Sequence, residues 1–212
     1  VLRELAKLAG IQLDEKEVDV QAIVERRGLE DIYSLVAQFY RDQLPTDQRE
    51  WLHGRYGLTD KTIDDLKLGF APVNKTALVD FLRSQKINDE DIAKTGLILR
   101  WDNGEMVDLF QGRLIFPYWR RGRPVYFIAR HTDHTPNEDW EQSKYKKQMV
   151  HSEKHSYVSQ QVRNDFFYAE DAALSTDTIF VTEGVTDCII ANQHGFPCIS
   201  PVTVRFRDAD HP

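Results

Sequence analysis

Residues 178–187 read Thr-Ile-Phe-Val-Thr-Glu-Gly-Val-Thr-Asp. The β-branched and aromatic run up to Thr182 suits a buried strand of a parallel sheet, where both faces are covered and the sequence becomes continuously apolar. Glu183-Gly184 stops it. Val185 to His194 then suits a helix, with Ile189, Ile190 and Gln193 at helical spacing and Gly195 at its end. That order places Glu183 at the carboxyl end of a strand, in the crevice where open α/β sheets bind ligands. A carboxylate there can hold a divalent cation or act as a general base; it can equally be a plain polar turn residue. Gly184 lets the backbone turn sharply and lets a bulky partner approach. Asp187 falls in the first turn of the helix, where negative charge suits the helix dipole, with or without a chemical role.

The remaining 202 residues set limits on what such a carboxylate can serve. Hydrophobic residues make up 41% and charged residues 29%, the balance of an ordinary globular protein of one large or two small domains. No run approaches the roughly 20 apolar residues of a membrane span and no signal peptide opens the sequence, so a cytoplasmic protein without a membrane partner is expected. Cys188 and Cys198 read as small buried hydrophobes in a reducing compartment. A net charge of −7 argues against a protein that coats nucleic acid over its whole surface. Distribution matters more than the sum. Residues 111–130 carry Arg113, Arg120, Arg121, Arg123 and Arg130 without one acid, and Lys144, Lys146 and Lys147 follow. Such a stretch can hold a phosphate backbone locally, or be a solvated arginine-rich hairpin.

The amino-terminal third is helical. Leu2, Leu5 and Leu8 before Gly10 read as the end of one helix. Ile32, Leu35, Val36, Phe39 and Tyr40 trace a longer one ending near Leu44-Pro45. Thr46 is expected to cap the next, with Trp51 and Leu52 on its inner side, and Thr59-Asp60 to start another. From Leu68 the pattern changes. Gly69-Phe70-Ala71-Pro72 is extended, and Ala77–Gln85 and Asp89–Lys94 are short helices. Leu97–Trp101 and Met106–Phe110 form a hairpin across Asp102-Asn103-Gly104. Arg113–Tyr118 and Pro124–Arg130 form a second strand pair, and residues 131–143 a surface loop.

Taken in order, several of these pieces resemble the polymerase domain of bacterial-type DNA primases. They are Arg55-Tyr56-Gly57-Leu58-Thr59, Leu68-Gly69-Phe70-Ala71-Pro72, Thr95-Gly96-Leu97, Phe110 through Pro117, Phe127-Ile128-Ala129-Arg130, Lys144-Tyr145, and Glu183-Gly184 with Asp187. Their order and spacing agree with the family over about residues 30–200. The resemblance implies an α/β fold: a mixed α+β amino-terminal subdomain at 14–143, a connector with a basic segment at 144–176, and a truncated toprim-type β-α-β sheet at 177–212. Residues 1–13 then resemble the tail behind the family's zinc-ribbon module. That module, and with it any zinc, is expected to be absent from this chain.

The family makes short RNA primers on single-stranded DNA by metal-dependent nucleotidyl transfer. The resemblance therefore implies a single-stranded DNA template, ribonucleoside triphosphates, Mg²⁺ or Mn²⁺, and a replicative helicase as a further partner. Glu183, Gly184 and Asp187 fall on the catalytic motif, with Glu183 as metal ligand or proton acceptor. Arg55, Arg113, Arg130, Lys144 and Lys146 fall on or beside positions where the family lines its DNA and nucleotide groove. Arg113 has an alternative as a cross-strand partner of Asp108. Tyr118, Trp119 and Tyr126 suit base-stacking platforms or ordinary core.

Three departures stand out. Tyr56 interrupts the family's Arg-Gly step, residues 127–130 lack its glycines, and Lys146-Lys147-Gln148 replaces its Asn-Ser step. The family's Asp-x-Asp is expected beyond Pro212, because Asp208-Ala209-Asp210 follows Glu183 too closely for another β-α unit. A primase fragment inactive by itself is thus expected. The rival readings are a toprim nuclease or topoisomerase-like protein and a non-catalytic module that binds single-stranded DNA or a helicase.

Overall fold

The computed structural model of the chain describes residues 20–201. The helix expected before Gly10, the tail at 1–13 and Asp208-Ala209-Asp210 lie outside the described residues. Helix α1 (Val20–Asp42) buries Leu29, Tyr33, Val36, Ala37 and Tyr40, which recur every three or four residues and so share one face. Pro45 then separates it from α2 (Thr46–Tyr56). Thr46 is not the cap. Pro45 takes the N-cap position in an extended conformation, and Thr46 is already helical. Gly57 closes α2 at φ 64°, donating its N–H to the His53 carbonyl at 2.8 Å. Thr59 does cap α3 (Asp60–Asp65): its hydroxyl accepts the Thr62 N–H at 3.2 Å.

Strand β1 (Gly69–Phe70) runs against the end of α1. A Cβ on Gly69 would lie 2.5 Å from the Tyr40 carbonyl carbon, so only glycine permits this approach of helix and strand. Helices α4 (Ala77–Ser84) and α5 (Asp89–Lys94) follow, then the hairpin of β2 (Ile98–Arg100) and β3 (Met106–Asp108). Next come β4 (Leu114–Arg120), β5 (Arg123–Arg130) and β6 (Tyr145–Lys147), which join β1 in an antiparallel sheet of order β1-β4-β5-β6. Arg121 and Gly122, at φ 50° and 73°, make the two-residue turn between β4 and β5.

This sheet divides two cores. Ile115, Phe127 and Ala129 face α1, α4 and the β2–β3 hairpin. Leu114, Phe116, Tyr118, Tyr126 and Ile128 face the other way, toward Leu52 of α2 and Ile63 of α3. Alternation at period two sends neighbouring residues to opposite faces, and both faces are covered. Tyr118 and Tyr126 are therefore core, and Trp119 is tied down through its indole N–H to the Leu66 carbonyl at 2.9 Å. None of the three is a free stacking platform.

The last unit contains β7 (Phe167–Tyr168), β8 (Phe180–Val181), α6 (Val185–Gln193) and β9 (Cys198–Pro201). Strand β9 is central, antiparallel to β7 and parallel to β8, so β8-α6-β9 is the expected β-α-β unit. The expectation of a buried strand at 178–182 is corrected. Strand β8 is two residues at the sheet edge, with Phe180 51% and Val181 49% exposed. Among the described residues only β9 pairs with it. Helix α6 buries Val185, Cys188 and Ile189 in the second core, so this unit shares its packing with the sheet of the preceding one. Both cysteines are buried free thiols.

Candidate functional site

Strand β5 ends on Arg130, which pairs in register with Tyr145 of β6. The pairing puts the Tyr145 ring beside the guanidinium, centroid 5.5 Å away, and its hydroxyl accepts from Arg130 Nη1 at 3.1 Å. Two rings from α2 complete a box: Trp51 at 5.1 Å and Tyr56 at 5.5 Å from the guanidinium carbon. Trp51 and Tyr56 themselves meet edge-on at 5.3 Å. Each ring offers its negative face to the cation. Arg130 Nε is buried without a hydrogen-bond partner, and among the described residues no carboxylate pairs with this arginine. Lys144 extends the same edge, exposed, its ammonium 5.7 Å from the Tyr145 ring. Arg55 is exposed in the last turn of α2.

The box touches the β-α-β unit. The Thr186 side chain, in the first turn of α6, interacts with the Tyr56 hydroxyl, whose pKa burial nonetheless pushes up. At the other end of α6, Gln193 donates to the Gly57 carbonyl at 2.9 Å and accepts the Thr59 N–H at 2.8 Å. The α2–α3 turn is thereby clamped along the helix that follows Glu183.

Glu183 is exposed in the turn between β8 and α6. Gly184 has φ −100°, which any residue adopts, so its expected role in a sharp turn is corrected. What it supplies is room. A Cβ there would lie 2.6 Å from the Asp187 carboxylate, which folds back over the start of α6. An acid in that first turn suits the helix dipole. Glu183 and Asp187 offer the hard oxygen donors that Mg²⁺ or Mn²⁺ prefers. Among the described residues no cluster of three or more His, Cys, Asp or Glu side chains could hold a metal, so these two would hold one only with further ligands.

Arg113 is a correction. Its side chain is 0% exposed, and its guanidinium donates to Glu141 Oε2 at 2.9 Å, the Glu141 carbonyl at 2.6 Å and the Ser143 carbonyl at 2.9 Å. Lys146 binds the other Glu141 oxygen. Asp108, the cross-strand partner considered for Arg113, accepts instead from Tyr40 at 2.9 Å and the Phe110 N–H at 2.7 Å. Burial pushes Asp108 up to about 7. Glu141 sits in the loop expected at the surface, and nothing in its local sequence marks it as the buried counter-ion of two cations. Trp51 and Tyr56 were equally hidden. A helical pattern says which face is inward but not that a strand-end arginine will lie against it.

Comparison with known proteins places this arrangement. Residues 39–159 match the family described as DNA primase catalytic core, N-terminal domain. This chain belongs to the DNA primase family. It is 30% identical over 208 residues to a DNA primase of Deinococcus radiodurans, covering 92% of this chain and 32% of that protein. It is 34% identical over 141 residues to one of Haemophilus influenzae, covering 61% and 23%. The chain thus spans about a third or less of the curated relatives' length. The fold resembles the RNA polymerase domain of Mycobacterium tuberculosis primase at TM-score 0.73 and 19% identity, over 87% of this chain and 57% of that one. It also resembles Aquifex aeolicus primase at TM-score 0.72 and 23% identity, over 99% and 49%. A primase catalytic domain described as bound to single-stranded DNA aligns at TM-score 0.67 and 22% identity, over 89% and 59%. The mixed α/β, toprim-like architecture expected from the sequence is therefore the observed one. Among the described residues no helix is long and apolar enough to cross a membrane.

Proposed function

We propose that this primase-family chain supplies the nucleic-acid-binding edge and the first toprim carboxylates of an enzyme that makes RNA primers on single-stranded DNA. One observation supports this most. Arg130, a cation without a carboxylate partner, shares its aromatic box with Tyr56, which in turn meets the helix opened by Glu183-Gly184. The Arg130 box and the turn carrying Glu183 thus connect through Tyr56 and Thr186, which supports reading the first as a phosphate site and the second as a cation site.

In this reading Arg130 receives a phosphate of the template strand or of a ribonucleoside triphosphate, while Lys144 and Arg55 add point charges along the same edge. Arg113 and Lys146 take no direct part in this reading; both are tied to the buried Glu141 carboxylate. Glu183, with further ligands, would hold Mg²⁺ or Mn²⁺, which would supply neutralisation of the triphosphate and of the developing oxyanion. Glu183 either ligates that cation or accepts the proton of the primer 3′-hydroxyl as its oxygen bonds to the α-phosphorus and pyrophosphate leaves. Asp187 holds its charge in the first turn of α6, where it suits the helix dipole and would add a second oxygen donor beside Glu183.

Anisotropy with a fluorescein-labelled single-stranded oligodeoxythymidine tests the reading. Arg130→Ala is expected to weaken binding about tenfold and to lower the slope of log K against log salt by about one, the signature of one lost phosphate contact. Unchanged affinity and slope would remove Arg130 from the groove.

A further inference from the structure

We infer that Tyr56 is a positioning residue for Arg130: together with Trp51 it holds the guanidinium in one orientation and registers it against the toprim helix. The inference rests on the reading of Arg130 given above and adds a residue to it. Tyr56 is the residue that separates Arg55 from Gly57 in this chain, where the resemblance leads one to expect arginine followed directly by glycine.

Arginine has several rotatable bonds, and ordering it on a ligand costs rotamer entropy unless its place is already set. Here three rings surround the guanidinium carbon at 5.1–5.5 Å, and the Tyr145 hydroxyl takes one donor, Nη1. Rings attract the cation but do not neutralise it, so the full charge stays available to an oxyanion. A carboxylate in the place of Tyr56 would have cancelled it.

Tyr56 is itself fixed from both sides. Trp51 packs edge-on against its ring, and Thr186 meets its hydroxyl. Directly after it Gly57 turns the chain, and its carbonyl is held by Gln193 from the same helix. A displacement of α6 relative to the sheet must therefore move Tyr56, and with it the wall against which Arg130 rests. Trp51 packs on the same core, but among the described residues no hydrogen bond ties its side chain to α6, which is why Tyr56 is singled out.

The same oligodeoxythymidine titration decides the matter, using Arg130→Ala, Tyr56→Ala, the double variant and Tyr56→Phe, each checked for folding by circular dichroism. Tyr56→Ala is expected to lose about fivefold in affinity. The double variant should bind no more weakly than Arg130→Ala alone, because the tyrosine acts through the arginine. Tyr56→Phe, which keeps the ring, should return to within about twofold of the parent. If the two single losses multiply in the double variant, or if Tyr56→Ala binds like the parent while Arg130→Ala does not, the positioning role is overturned and the groove reading survives. If Arg130→Ala itself binds like the parent, the groove reading fails and this inference with it. Should Tyr56→Ala not fold, Tyr56→Leu replaces it in the same cycle, with Tyr56→Phe as the conservative variant and the same outcomes deciding.

Discussion

Arg113 and Arg130 stand at the same end of one sheet, since Leu114 pairs with Arg130 across β4 and β5. Their surroundings are opposite. Arg113 is enclosed by a carboxylate and two carbonyls that use up its donors, and Lys146 shares the same glutamate. Arg130 is enclosed by rings and one hydroxyl. The first environment satisfies a charge; the second immobilises one and leaves it unsatisfied. Residue type and sheet position are nearly the same, so the chemistry of the neighbours decides which arginine supports the fold and which can meet an anion.

The largest expected effect falls on the satisfied side. Arg113→Ala leaves Glu141 paired with Lys146 but takes a buried guanidinium out of the core and leaves the Glu141 carbonyl without its donor, and each buried polar group so stranded costs about 1–3 kcal/mol. Urea unfolding should show that loss. Arg130→Ala should cost about 1 kcal/mol or less by the same assay, because only cation–π and packing contacts vanish. Equal losses for the two would erase the distinction between them.

A smaller effect sharpens the picture of the satisfied end. Asp108 is buried beside Tyr40, and its folded pKa of about 7 lies above the value near 3.9 of an unfolded chain. Below about pH 4 both states are protonated and no penalty exists. Between about pH 4 and 7 the unfolded chain has released the proton and the folded one retains it, so stability falls as pH rises, then levels off. Asp108→Asn removes that titration. Unfolding midpoints measured from pH 5 to 8 should therefore decline less in the variant than in the parent; parallel curves would mean that the carboxyl is already ionised in the fold.

The smallest effect belongs to Lys144. It is exposed, and its one described side-chain contact is the Tyr145 ring, so Lys144→Ala should weaken oligonucleotide binding about two- to threefold with little change in stability. A loss as large as that of Arg130→Ala would mean that net charge, and not the box, governs the edge.

Local chemistry made much of the fold legible. Asn103-Gly104 gave its hairpin, Thr59 its cap, and the run before Glu183 its strand, turn and helix, because each depends on neighbours a few residues away. Strand β6 was missed. Tyr-Lys-Lys has no apolar alternation, and it is a strand only because β5 presents an edge to it. Strand β8 was expected to be buried for the opposite reason: its composition is apolar, but cover is a property of what packs on it. Tyr118 and Tyr126 suit stacking platforms or core equally by sequence, and only the cover on the second face of the sheet decides for core.

Residue order alone settled the sequence of helices, hairpins and β-α-β unit, the family resemblance, and the list of cations and carboxylates that such a family would use. Periodicity and turn chemistry act over a few residues and can be read along the chain. Only the three-dimensional packing separated Arg113 from Arg130, brought Glu141 inward from a polar loop, and set Tyr56 between an arginine and a helix 130 residues further on. Those outcomes depend on which distant groups share a small volume, and charge there is settled by partners and not by position in the chain.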